Sequence, residues 1–65
     1  MKVPKEGEQV YVLPYTVPGH EDPGYSGKVV GVSKVNDNRY MVHLADCTGK
    51  ARHRSAWLHH ISGYN

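Results

Sequence analysis

Apolar and polar residues alternate along this chain in short bursts, and a period of two suits half-buried strands rather than helices. Gln9-Val10-Tyr11-Val12-Leu13 places Val10 and Val12 on one face and Tyr11 on the other. Gly7 supplies an entry turn, and Pro14 ends the strand because proline has no amide to donate to a ladder. Residues 14–27 then hold Pro14, Pro18, Gly19, Pro23, Gly24 and Gly27, enough breakers to predict one long irregular loop. A second strand at about residues 28–34 carries Val29, Val30 and Val32 around Gly31, where a glycine marks a bulge or sharp bend. Asn36-Asp37-Asn38 is a polar turn. Beyond it, Arg39-Tyr40-Met41-Val42-His43-Leu44 sets Tyr40, Val42 and Leu44 opposite to Met41 and His43. β-Branched and aromatic residues on both sides of that turn predict a hairpin.

Asp46-Cys47-Thr48-Gly49 gives a second tight turn, after which Lys50-Ala51-Arg52-His53-Arg54-Ser55 is expected to return as a fourth strand. Ser55–Ile61 is too short for an independent α-helix. Leu58 and Ile61, three residues apart, suit a single 3₁₀ turn with Ser55 as its cap. A short last strand around His60-Ile61-Ser62 completes the order. The pattern predicts one all-β domain over residues 1–65, with its core at about 7–62.

This order of elements, together with Gly27-x-Val29-Val30 before a hairpin, resembles the SH3-like small barrels. Those include Tudor and KOW-type modules, ribosomal-protein barrels and the photosystem I accessory subunit of this fold. The resemblance is one of fold, covers most of residues 7–62, and implies a single five-stranded barrel. It also implies a long first loop, flanking a groove that partners use, and a 3₁₀ turn before the last strand. The Ala-Leu-Tyr-Asp-Tyr run of peptide-binding SH3 domains is absent. Fold alone does not determine function.

Sixty-five residues lie near the lower limit for a core without covalent staples. A single cysteine, Cys47, excludes an internal disulfide. Met1–Gly7 lacks the apolar segment of a signal peptide, and no run approaches the ~18 apolar residues that span a bilayer. A cytoplasmic location without a membrane partner is therefore expected. The formal charge of +2 is unevenly spread. Residues 1–32 carry Lys2, Lys5 and Lys28 against Glu6, Glu8, Glu21 and Asp22, a balance of −1. Residues 33–65 carry Lys34, Arg39, Lys50, Arg52 and Arg54 against Asp37 and Asp46, a balance of +3.

Two candidate surfaces emerge. On a strand, Lys50, Arg52 and Arg54 would share one face at roughly 6–7 Å spacing. With Lys28 they could follow successive phosphates of a nucleic acid, with tyrosines supplying stacking surfaces. The plainer alternative is a solvent face whose cations blunt edge-to-edge pairing. The second surface gathers Tyr15, Tyr25 and Trp57 beside the long loop, with Tyr40 or His43 at its edge, as anchors for a protein partner. A small barrel also needs a ring to plug its end, which is the alternative role for Trp57.

The spacing Cys47-x5-His53-x5-His59-His60 matches no ordinary structural-zinc pattern, so no metal or cofactor is expected. His20, Glu21 and Asp22 form a charged loop tip with no partnered nucleophile, so no catalytic residue is assigned. The sequence reads as a non-enzymatic binding module for nucleic acid. The alternative is a small accessory, adaptor or inhibitor that docks on a larger protein. Against the first stands the modest net charge, since autonomous nucleic-acid binders are commonly more basic.

Overall fold

The structure, a computed structural model, describes residues 3–49 and 51–64. It contains β1 (Gln9–Val12), β2 (Tyr15–Val17), β3 (His20–Asp22), β4 (Tyr25–Asn36), β5 (Arg39–Ala45) and β6 (Arg54–Trp57), then a 3₁₀ turn, Leu58–His60. The chain is all-β as its alternation predicts. The described residues form six strands in two sheets, however, and not a single closed five-stranded barrel. The larger sheet runs β1-β4-β5-β6, antiparallel throughout, and β2 and β3 make a separate hairpin.

That hairpin corrects the expectation of an irregular first loop. Tyr15 pairs with Asp22 and Val17 with His20. Gly19, at φ +82°, supplies the left-handed residue that the turn between them requires. β4 also starts earlier than expected, at Tyr25, because Tyr25, Gly27 and Val29 point inward and alternate with Ser26 and Lys28. Gly27 is not a breaker. A Cβ there would lie 2.8 Å from the Cys47 sulfur and 3.2 Å from the Leu44 Cβ, so only glycine lets the 46–49 turn pack onto the strand.

β4 runs for twelve residues, and its pairing with β5 shifts register between Val29 and Gly31 and again between Lys34 and Asn36. The first shift is the bulge that Gly31 signals. Bulges increase bend and twist, which turns the sheet around its core. β5 alternates as predicted: Val42 and Leu44 are buried and Tyr40 packs against the core, while Met41 and His43 face the other way.

β6 is shorter than the strand predicted over 50–55 and begins only at Arg54. Lys50 lies outside the described residues. Asp46 adopts φ 52° and Gly49 φ 96°, and the Cys47 amide donates to the Arg52 carbonyl at 2.9 Å. The chain is thus still in a loop at Arg52, and Arg52 shares no strand face with Arg54.

The expected last strand is reduced to one antiparallel bridge, Val12 to Ile61. Around it the Leu13 amide donates to the His60 carbonyl at 2.8 Å, and the Ser62 amide to the Tyr11 carbonyl at 2.9 Å. These bonds return the chain from β6 to β1. Ser55 does not cap the 3₁₀ turn; it lies in β6, and Trp57 holds the cap position without a side-chain hydrogen bond. The core comprises Val10, Val12, Tyr25, Val29, Val42, Leu44, Cys47, Ala56, Leu58 and Ile61. Val29, Val42, Leu44 and Ile61 are at most 1% exposed, and each such burial stabilises by about 1.5–3 kcal/mol. Among the described residues no helix is long and apolar enough to cross a membrane.

Candidate functional site

Cross-strand register decides which side chains meet outside the core. Met41 stands opposite Trp57 and His43 opposite Ser55, while the intervening pair, Val42 and Ala56, is buried. Trp57 therefore emerges on the outer face and does not plug a barrel end. The 3₁₀ turn follows at once and sends only Leu58 into the core. The rings of Trp57, His59 and His60 are left together outside.

They form a continuous line with the β2–β3 hairpin. Tyr15 stacks on His60 with centroids 5.2 Å apart and planes at 27°. His60 meets His59 edge-on at 4.4 Å, and His59 lies nearly parallel to Trp57 at 6.3 Å. At the far end the Arg39 guanidinium carbon sits 5.5 Å from the centre of the Trp57 ring. Beside this line runs a groove of about 140 Å³, bordered by Leu13, Tyr15, Met41, Trp57 and His60. Tyr25, Asp22 and Arg54 line it as well.

Arg54 faces the same side as its partner Leu44, toward the open mouth of the curled sheet. One of its amino groups donates to Asp22 Oδ2 at 2.9 Å, and its guanidinium carbon lies 3.9 Å from the centre of the Tyr25 ring. Those side chains are 27% and 33% exposed for Arg54 and Asp22, so the pair is partly desolvated. It fastens the hairpin to the main sheet. Burial raises the Tyr25 hydroxyl above its usual pKa. Arg54 opposes that rise, and Cys47 and Asp22 add to it. On the other side of this pair opens a wider cleft of about 350 Å³, between β3 and the turn at Thr48 and Gly49.

The described residues among those predicted for nucleic acid share no strand face. Lys28 is exposed on the outer face of β4, Arg52 is exposed in the loop, and Arg54 is occupied by Asp22 and Tyr25. Of the predicted docking residues, Tyr15 and Trp57 both line the groove, and Tyr15 is 50% exposed. Tyr25 is 6% exposed and belongs to the core, so it is floor rather than anchor. His43 lies outside the groove. Its Nε2 is 2.8 Å from Ser33 Oγ and its Nδ1 is 3.0 Å from Ser55 Oγ, so it ties three strands together across the outer face.

Sequence reasoning missed His59, His60 and Arg39. The histidines had a local signal, because a 3₁₀ turn with one inward residue leaves its neighbours outside. Arg39 had none, because its place over Trp57 depends on the Met41–Trp57 register. Compared with family models, curated proteins and solved structures, the chain matches none.

Proposed function

We propose that this chain is a non-enzymatic docking module, built on an SH3-like scaffold, that receives an extended segment of a larger protein in the groove between Tyr15 and Trp57. The observation that carries this reading is the convergence of Tyr15, His60, Trp57, Leu13 and Met41 on one concavity. Aromatic anchors around a desolvated pocket are the usual source of binding energy between proteins. Rings already stacked on one another lose little freedom when a partner covers them. The groove thus combines apolar area with pre-organisation.

A second reading, single-stranded nucleic acid, draws support from the line of rings ending at Arg39, since bases stack on such platforms. Lys28, Arg52 and Arg54 share no strand face that would follow a backbone, which is why this reading stands second. Selection from a randomised peptide display library tests the first reading. The expected result is a related set of sequences whose binding falls about tenfold or more in Tyr15→Ala and Trp57→Ala, the scale of a lost aromatic anchor. No enriched peptides, with salt-sensitive binding of oligonucleotides instead, would replace the first reading by the second.

A further inference from the structure

Among the described residues two arginines lie over aromatic rings, and only one of them has its anion. Arg54 lies over Tyr25 and donates to the Asp22 carboxylate at 2.9 Å, so ring, guanidinium and carboxylate form a closed set. Arg39 lies over Trp57 at the longer distance of 5.5 Å, and among the described residues no carboxylate pairs with it. The nearest acid in sequence, Asp37, is turned to Lys34 at 3.9 Å. Arg39 is exposed, and the ring it lies over, Trp57, borders the groove with His60 and Tyr15. A guanidinium resting on an indole keeps its planar fork of donors directed outward, the geometry that binds a carboxylate through two parallel hydrogen bonds.

The surroundings leave that charge uncompensated. The acid that borders the groove, Asp22, is neutralised by Arg54. From this we infer that the docked segment is acidic: an extended peptide that places an Asp or Glu carboxylate on Arg39 and an apolar side chain between Tyr15 and Trp57. The inference rests on the docking reading and names its ligand. In effect the partner supplies to Arg39 and Trp57 what Asp22 supplies to Arg54 and Tyr25.

The experiment uses peptides selected from the randomised library on the full chain. Sequences enriched in Asp or Glu are expected. The best of them is then synthesised with its twin, in which each Asp or Glu becomes Asn or Gln, and both are titrated against wild type, Arg39→Gln and Arg39→Lys. The acidic peptide should lose about tenfold in affinity on Arg39→Gln, the scale of one charge-assisted hydrogen bond. The neutral twin should bind all three proteins alike. Arg39→Lys, which keeps the charge without the planar fork, should recover only part of the loss. Arg39 is exposed on a hairpin, and unchanged thermal unfolding of both variants will show that the fold is intact.

Selected peptides without acid enrichment, or an acidic peptide indifferent to Arg39→Gln, would overturn the inference and leave the groove as a docking site. No enrichment at all would overturn both. Tight binding of an oligothymidylate in a parallel titration, lost in Trp57→Ala and Arg39→Gln, would make phosphate the anion and overturn the assignment to a protein.

Discussion

A methyl group at Gly27 has nowhere to go. Its position falls 2.8 Å from the sulfur of buried Cys47 and 3.2 Å from the Leu44 Cβ. Gly27→Ala is therefore expected to destabilise by about 1–3 kcal/mol in urea denaturation, the range of core overpacking. Pairing it with Cys47→Ala should restore part of the loss, because the nearest clashing atom is removed. An equal cost in both backgrounds would mean that the sulfur is not the obstacle. Arg54→Ala should cost about 1–2 kcal/mol, a figure held down by the partial exposure of the ion pair but raised by the ring beneath it. If Asp22→Ala in an Arg54→Ala background costs as much as it does alone, the two side chains are not coupled.

Tyr25 and Tyr64 add a dependence on alkaline pH. Burial raises the first, and the 2.6 Å hydrogen bond that Tyr64 donates to Glu8 raises the second. A raised tyrosine pKa means that the folded state holds the phenolic proton more tightly than the unfolded chain. This contribution is fully present below the unfolded value near 10 and is lost as pH rises above it. Denaturation midpoints should fall between pH 9 and 11, and fall less in Tyr25→Phe. A flat profile in wild type would contradict the burial of that hydroxyl.

At the scale of elements, the return of the chain to β1 holds the curled sheet in shape. Ile61 is wholly buried, and the amides of Leu13 and Ser62 bond on either side of it. Ile61→Ala should cost about 2–5 kcal/mol and speed hydrogen exchange at those two amides. If exchange there stays as slow as in wild type, the turn is not fastened through Ile61. The strands with strict alternation were legible because their signal is local: Val10 and Val12, or Val42 and Leu44, need only a period of two. The β2–β3 hairpin was hidden because Pro18, Gly19, Pro23 and Gly24 read as breakers where they serve as turn and link. The fourth strand was misplaced for a related reason. The left-handed Asp46 and the Cys47–Arg52 bond hold residues in a loop that their alternation alone would extend.

Across the whole molecule, surface chemistry follows from contacts distant in sequence. Arg54 and Asp22 are separated by 32 positions, so the even spacing of Lys50, Arg52 and Arg54 gave no hint that one of them was already engaged. Tyr15 and Trp57 were legible as aromatic candidates because composition and neighbours mark them. Their meeting across one groove depends on β2 folding back and on the 3₁₀ turn leaving the sheet. Lys28 and Arg52 are exposed and do not line the groove, so their charges are expected to act on encounter and not on the docked segment.

The most direct test of the docking account is a nuclear magnetic resonance titration of the labelled chain with a selected peptide. The account predicts shifts centred on Leu13, Tyr15, Arg39, Met41 and residues 55–60, with Lys28 and Arg52 unmoved. Shifts centred on Lys28 and Arg52 with a silent Trp57 indole would contradict it.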